Sequence, residues 1–412
     1  MRQYDSYKDS GVEWIGKIPS HWEVAAFKRK ITINNGRDYK EYLDDELFPV
    51  MGSGGCFAYC SKYMYDGEAV LLGRKGTIDR PLYIKGKFWA VDTMFYAVPK
   101  KDLNCKFAYY LALTFPFNYY STATALPSMT QTDLGSNPVA FPPLIEQQTI
   151  ATYLDKKCVE IDKAIATQQK RIELLQELRQ NIITHAVTRG INPDAPLKES
   201  GVEWIGMIPE HWEIMKMNLA LKSISDVNHY MPNSVLEGYP YIMTGDLKTF
   251  LSEIDFDCCK QISEDDFKEL SIKSKAVKGD VIFARYATIG TVCYVDIDKE
   301  FIVSYSCVTI KPNSKMLNGL FLYYYLQTHT FFEDVSQSIN ANTQGNVGIE
   351  SLSASRIIVP PMAEQQDIVS HIESETAKLD RQVAKANRQI SLLQELKQSI
   401  ITEVVTGKRK VC

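Results

Sequence analysis

Two arginines occupy matching positions in the chain, each directly after a run of residues typical of a buried strand. Arg74 begins the turn RKGTI after EAVLLG, and Arg285 lies in ARYATIG after DVIF. A guanidinium can donate two hydrogen bonds to the major-groove edge of guanine, or it can hold a phosphate oxygen. Because the unit recurs in two otherwise divergent stretches, it favours a binding role over that of a surface arginine on a turn. The candidate contacts of this set are Arg74, Lys75, Thr77, Arg285, Tyr286 and Thr288.

Amide and hydroxyl side chains form a second set, shortly before a Pro-Pro pair in each half of the chain. Asparagine and glutamine pair with adenine, and serine and threonine contact bases or phosphates. A polar loop built from Asx turns is the structural alternative. The candidates are Ser128, Thr130 and Gln131 in the first segment and Asn340, Asn342, Thr343 and Gln344 in the second. Further candidates are Ser53 and Gly54, in either a ligand-facing loop or a tight hairpin turn, and Thr244 in YIMTGD.

Motifs for catalysis are missing. The sequence has no Asn-Pro-Pro-Tyr or Asp-Pro-Pro-Tyr element for amino-methylation, no HExxH, no GxSxG and no phosphate-binding or dinucleotide fingerprint. Asp194 lies in a linker without the Asp/Glu-x-Lys strand that a nuclease needs. The nine cysteines and six histidines show no metal-ligand spacing. We therefore expect no catalytic residue and no metal site in this chain, and reduced thiols that serve mainly in packing.

The elements that must position these residues belong to a frame that occurs twice. Residues 10–23 read SGVEWIGKIPSHWE and residues 200–213 read SGVEWIGMIPEHWE. Residues 172–184 read IELLQELRQNIIT and residues 390–402 read ISLLQELKQSIIT. The inserts between these blocks differ in sequence and length and suit β-rich structure with turns. Two half-copies with alike ends and divergent inserts predict two similar recognition modules with different targets.

Long helices are predicted after each Pro-Pro pair. Apolar residues recur at alternating three- and four-residue steps over about four heptads, which argues for a coiled coil. Two helices of similar sequence and length are expected to pair antiparallel and to hold the two inserts apart. The predicted core of the pair is Ile161, Ile165, Ile172, Leu175 and Ile182 on the first helix, and Leu379, Val383, Ile390, Leu393 and Ile400 on the second. The fold class is therefore α+β, with two pseudo-symmetric β-rich domains joined by two antiparallel helices.

Composition excludes some classes of protein. The 412 residues are 45% hydrophobic and 23% charged, as in an ordinary globular protein. No apolar run approaches the roughly 18 residues of a membrane span, and the start has no signal-peptide pattern, so we expect a cytoplasmic protein. The net charge of −4 is a caution against nucleic-acid binding, unless basic groups cluster or a partner supplies further contacts.

The repeated motifs identify a family. GVEWIGxIPxHWE before each insert, PPLIEQQTIATYL and PPMAEQQDIVSHI at the helix starts, and LLQEL(R/K)Q near the helix ends resemble the specificity (S) subunit of Type I restriction–modification systems. The resemblance covers nearly the whole chain. It implies that each insert is a target recognition domain reading one half of a bipartite double-stranded DNA site. The helices would set the spacing and dock two methylation (M) subunits, through which restriction (R) subunits join.

The resemblance also implies that this chain performs no catalysis and binds no cofactor, because S-adenosylmethionine, ATP and magnesium belong to the partner subunits. The expected domains are 1–141 for the first target recognition domain with its repeated segment, 142–190 for the first helix, 191–199 for a linker, 200–359 for the second recognition domain with its repeated segment, and 360–412 for the second helix with a basic tail.

Two other classes of function stay open at this point. One is a non-catalytic coiled-coil scaffold whose two β-rich domains bind proteins. Salt-dependent DNA binding would separate that scaffold from a DNA reader. The other is a fused nuclease–methylase polypeptide, which the missing catalytic motifs argue against.

Overall fold

The structure is a computed structural model that describes residues 3–117, 127–227, 229–286, 288–336 and 346–411, except for the side chains of residues 45 and 46. It divides into two compact units. Unit 1 consists of Met1–Lys170 and Ala386–Cys412, and unit 2 consists of Arg171–Lys385. Each unit therefore contains one insert and one part of each long helix.

Unit 1 is built on a six-stranded sheet with strand order β4-β9-β7-β8-β5-β6. Neighbouring strands are antiparallel except β5 and β8, which run parallel. Two small antiparallel pairs, β1-β2 and β3-β10, complete the strands. The strands are β1 (Tyr7–Asp9), β2 (Lys17–Pro19), β3 (Glu23–Ala26), β4 (Ile31–Asn35), β5 (Leu43–Gly52), β6 (Gly55–Cys60), β7 (Tyr65–Gly73), β8 (Leu82–Ala90), β9 (Met94–Pro99) and β10 (Pro138–Phe141).

Unit 2 has a four-stranded sheet, β14-β20-β17-β18, and a three-stranded sheet, β16-β15-β19. The pairs β11-β12 and β13-β21 repeat the two small pairs of unit 1. The strands are β11 (Leu197–Glu199), β12 (Met207–Pro209), β13 (Glu213–Lys216), β14 (Leu221–Ser225), β15 (Tyr239–Ile242), β16 (Lys260–Ile262), β17 (Val281–Ala284), β18 (Val292–Tyr294), β19 (Ile302–Val303), β20 (Cys307–Pro312) and β21 (Arg356–Val359).

The two longest helices, α3 and α9, contain 46 and 44 residues. Each begins just after its Pro-Pro pair, because proline is well placed at a helix start. Each ends before a glycine with positive φ, Gly190 at 80° and Gly407 at 76°, as helix C-termini commonly do. The helices are α1 (Cys105–Ala112), α2 (Gln131–Ser136), α3 (Leu144–Arg189), α4 (Met217–Ala220), α5 (Glu264–Ser274), α6 (Gly319–Tyr325), α7 (His329–Ser336), α8 (Ile349–Ala354) and α9 (Met362–Val405).

The long helices contact each other antiparallel within each unit. In unit 1, Lys397 Nζ lies 2.7 Å from Asp162 Oδ1. In unit 2, Arg171 Nη2 donates to Gln382 Oε1 at 3.1 Å. The predicted α+β class with antiparallel long helices is confirmed. No helix among the described residues is long and apolar enough to cross a membrane.

Apolar residues of the helices join the core of the unit in which they lie. Ile161 and Ile400 are buried in the unit 1 core, with Ile165 and Leu393 packed against it. Leu175 and Leu379 are buried in unit 2. The other residues proposed for the helix-pair core are half-buried, namely Ile172, Ile182, Val383 and Ile390.

The helix end near Gly190 departs from the predicted spacing. Ile183, next to the half-buried Ile182, is fully buried in the unit 2 core. At this end α3 packs on the repeated aromatic segment: a Cβ on Gly190 would lie 3.1 Å from the ring of Trp212. At this end of α3 the buried side chains therefore pack against the recognition domain of unit 2. They do not continue an interface between the two long helices.

One buried glutamine in each unit anchors the insert to a long helix. Gln147 Oε1 accepts from the backbone N–H of Asn104 at 2.8 Å, and its Nε2 donates to the carbonyl of Pro142 at 2.9 Å. Gln365 makes the same contacts with the N–H of Asn318 and the carbonyl of Pro360, both at 2.8 Å. Each of these asparagines caps the helix that begins after it.

The preceding glutamate of each EQQ motif contacts the repeated aromatic segment. His21 Nε2 lies 2.9 Å from Glu146 Oε2, and His211 Nε2 lies 2.7 Å from Glu364 Oε2. The repeated sequence thus makes the same supporting contacts in both units, although the two inserts differ.

Candidate nucleic-acid interface

The two predicted motifs of the first insert lie side by side. Arg74 and Lys75 directly follow β7, and residues 127–129 come just before α2. Lys75 and Ser128 form an isolated antiparallel bridge. The N–H of Met129 donates to the carbonyl of Arg74 at 2.9 Å. The arginine turn and the polar segment of unit 1 therefore form one surface.

Unit 2 repeats this pairing with different residues. Tyr286 and Asn346 form the matching bridge. The N–H of Val347 donates to the carbonyl of Arg285 at 3.1 Å. The two arginine turns are thus equivalent in structure as well as in sequence position, although the inserts around them differ.

The two guanidinium groups have different surroundings. Arg74 is half-buried; its Nη1 donates to the carbonyl of Asp92 at 3.3 Å and its guanidinium lies 5.8 Å from the ring centre of Phe95. Arg285 is only 7% exposed. It is ion-paired with Asp226, and its Nε donates to the carbonyl of Tyr305 at 3.2 Å. In this structure Arg74 can reach a ligand more readily than Arg285 can.

Aromatic rings surround the arginine turn of unit 2. The Arg285 guanidinium lies 4.7 Å from the ring centre of Tyr286. The ring centres of His229 and Tyr305 are 4.7 Å apart, and that of Tyr286 lies 6.1 Å from His229. Cys307 begins the strand beside this turn, and burial raises the pKa of its thiol to about 12. The turn is thus lined by aromatic rings and contains an arginine paired with a carboxylate, beside a thiol that stays protonated near neutral pH.

Several other predicted residues have structural roles or exposed positions. Thr130 caps α2, where its Oγ1 accepts from the N–H of Asp133 at 3.1 Å. Ser53 and Gly54 lie in the hairpin turn between β5 and β6. Lys75, Thr77 and Thr288 are exposed. The candidates Asn340, Asn342, Thr343 and Gln344 lie outside the described residues.

Thr244 comes shortly after β15, which runs parallel to β19. Since the carboxyl ends of parallel neighbours meet at one edge of a sheet, its loop lies beside the residues that come after β19. The N–H of Ser304 donates to the carbonyl of Ile242 at 2.8 Å. The Thr244 loop therefore adjoins the segment that contains Tyr305.

A polar groove in unit 1 contains residues that the sequence analysis did not single out. The groove has a volume of about 650 Å³. It is lined in part by Asn34, Asn35, Arg37 and Gln131, of which only Gln131 was a candidate. The missed signal is Asn-Asn-Gly-Arg directly after the alternating strand ITI, since such a polar turn at a strand end is a common position for binding residues.

Among the described residues, no group of three or more His, Cys, Asp or Glu side chains is placed so that it could hold a metal ion.

Comparisons with known proteins agree on one family. A family model described as the Type I restriction modification DNA specificity domain matches residues 19–177 and 222–390. The specificity subunit of the type I restriction enzyme EcoDI from Escherichia coli is 23% identical over 426 residues, which cover 95% of this chain and 90% of that protein. The EcoBI specificity subunit, also from Escherichia coli, is 23% identical over 301 residues, which cover 71% of this chain but 62% of the relative.

A solved chain shows the same fold. It comes from work on complex assembly and conformational transition of the type I R-M system, with a TM-score of 0.69 and 15% sequence identity, and the match covers 94% of this chain and 98% of that one. The chain belongs to the Type I restriction–modification DNA specificity family, and the two matched segments are its two specificity domains. This membership favours a DNA specificity subunit over a protein-binding scaffold.

Proposed function

We propose that this chain is the non-catalytic targeting subunit of a type I complex in the cytoplasm, and that each unit reads one half of a bipartite double-stranded DNA site. The observation that carries the proposal is the repeated pairing of the Arg74 turn with the Ser128 segment and of the Arg285 turn with the Asn346 segment. Two equivalent surfaces on different inserts suit two half-sites of different sequence.

The DNA-reading surface of each unit extends outward from its arginine turn. In unit 1 it comprises Arg74, Lys75, Thr77 and the segment around Ser128, with Ser53 and Gly54 on a hairpin of the same insert. In unit 2 it comprises Tyr286, Thr288 and the Thr244 loop, and the sequence motif adds Asn340, Asn342, Thr343 and Gln344 as candidate contacts. Arg285 supports this surface through Asp226 and Tyr305 and contacts DNA only after that ion pair loosens.

The chain itself is expected to supply no catalytic group, and three of its buried thiols are unsuited to nucleophilic chemistry. Burial raises the pKa values of Cys105, Cys293 and Cys307 to about 12. These thiols stay protonated near neutral pH and so do not act as nucleophiles. S-adenosylmethionine, ATP and magnesium are assigned to the partner subunits.

Methylation subunits dock on the exposed leucines of the repeated LLQEL motif. On α3, Leu174 and Leu178 are 52% and 46% exposed. On α9, Leu392 and Leu396 are 54% and 48% exposed. Leucines four residues apart form one stripe on a helix, and the stripe occurs once in each unit. Two equivalent stripes suit two copies of one partner, and restriction subunits join through that partner.

Salt-dependent DNA binding tests the proposal. The chain, assembled with its methylation subunit, is expected to bind a duplex carrying its motif far more tightly than a scrambled duplex, with affinity falling as salt rises. Equal, salt-independent binding to both duplexes would overturn it.

A further inference from the structure

We infer that the groove of unit 1 holds an adenine of the first half-site, read through its major-groove edge by Asn35. This rests on the proposed function and adds a specific base and residue to it. The side-chain amide of asparagine can donate a hydrogen bond to N7 of adenine while its oxygen accepts one from the N6 amino group. Asn35 is the exposed last residue of β4 and lines the groove.

The backbone that carries Asn35 is held on both sides. Asn35 pairs with Phe95 across the sheet. The next N–H groups, of Gly36 and Arg37, donate to the carbonyls of Met94 and Ala90, both at 2.9 Å. This fixed turn presents the amide with little backbone ordering left to occur on binding, which favours specific recognition.

Close packing restricts residue 36 to glycine. A Cβ at this position would lie 1.9 Å from the carbonyl oxygen of Val91. The turn after β4 is therefore pressed against the end of β8. Trp89 fixes it further, because its indole N–H donates to the carbonyl of Arg37 at 2.8 Å.

The other polar groups of the groove suit the surroundings of a base pair. The Gln131 amide donates to the carbonyl of Ile33, which fixes the side chain and leaves its own oxygen as an acceptor. Asn34 is anchored to the carbonyl of Tyr96 at 3.4 Å. Arg37 is exposed and can hold a phosphate beside the base.

Two variants separate base reading from phosphate binding. The chain is assembled with its methylation subunit, and affinity is measured on duplexes in which each base pair of the first half-site is replaced in turn. Asn35→Ala is expected to lose roughly 5- to 150-fold discrimination at one A·T pair and to keep it elsewhere. Arg37→Ala is expected to weaken binding equally on all duplexes and to reduce the salt slope by about one.

The control is Asn192→Ala, an exposed asparagine in the linker after α3, which should match the wild type on every duplex. Thermal unfolding of Asn35→Ala and Arg37→Ala should equal that of the wild type, because the replaced side chains are exposed. If Asn35→Ala discriminates at every position as the wild type does, the inference is overturned while the proposed function stands. A wild-type complex with no sequence preference would overturn both.

Discussion

The side-chain oxygen of Gln147 accepts a hydrogen bond from the backbone N–H of Asn104 at 2.8 Å, and so ties the start of α3 to the cap of α1. The glutamine is 1% exposed. Its equivalent in unit 2, Gln365, makes the same bond to Asn318. The position of each recognition domain on its helix thus depends on one buried amide.

Replacing this amide should destabilise one unit. In Gln147→Ala the N–H of Asn104 and the carbonyl of Pro142 lose their partner, which costs ~1–3 kcal/mol for each buried group left unpaired. Hydrogen exchange should show lower protection in α1, with α6 unchanged. The adjacent Gln148 is exposed, so Gln148→Ala is a matched control that should behave as the wild type. Equal loss of protection in both variants would refute this role.

The two arginine turns should respond differently to truncation. Arg285→Ala removes a buried guanidinium and leaves Asp226 without its partner, so we expect a loss of about 2–3 kcal/mol in unfolding free energy as well as weaker DNA binding. Arg74→Ala removes a half-buried group, and we expect weaker DNA binding by ~1–3 kcal/mol with stability nearly unchanged. Denaturant unfolding and DNA titration on both variants measure the difference. Equal destabilisation of both would contradict the assignment.

Local patterns in the sequence predicted the helices and the repeat well. The Pro-Pro pairs marked the starts of α3 and α9, and α3 ends at Arg189, next to the expected boundary at residue 190. These features depend on neighbours in the chain. The apolar spacing was less informative at the end of α3, where the partner of Ile183 is a recognition domain and not the second helix.

The site was harder to predict because it is assembled from distant segments. The two arginine turns were recognised from their repeat, but their pairing with Ser128 and Asn346 depends on how the inserts fold. The burial of Arg285 and its ion pair with Asp226 could not be predicted from a turn motif. Asn35 was missed because a single polar residue at the end of a strand resembles an ordinary turn.

Neighbouring leucines of the LLQEL motif distinguish a residue that packs in the core from a residue that binds the methylation subunit. Leu175 is 9% exposed, whereas Leu174 is 52% exposed. Leu175→Asp should lower the unfolding free energy by roughly 2–5 kcal/mol from lost burial alone, with a further cost for the unpaired charge. Leu174→Asp should leave stability unchanged and weaken assembly with the methylation subunit. Calorimetry and size-exclusion chromatography distinguish the two effects; normal assembly of Leu174→Asp would count against the docking stripe.

The long helices should set the gap between half-sites. Four residues inserted after Gln168 lengthen α3 by about 6 Å and rotate its C-terminal part by roughly 40°. Since DNA rises about 3.4 Å per base pair, methylome sequencing should show an altered gap between unchanged half-sites, or assembly should fail. The same insertion within residues 191–194, before β11, is the control and should leave the gap unchanged. Unaltered half-sites, gap and assembly in the helix variant would show that the helices are not the ruler.

Exchange of the first insert tests the central claim most directly. Residues 24–141 are replaced by the corresponding insert of another family member, and the methylated motif is read by methylome sequencing in cells that supply the methylation subunit. One half of the bipartite motif is expected to change to that of the donor, while the other half and the gap stay the same. A change in both halves, or in neither, would contradict the claim that each unit reads its own half-site.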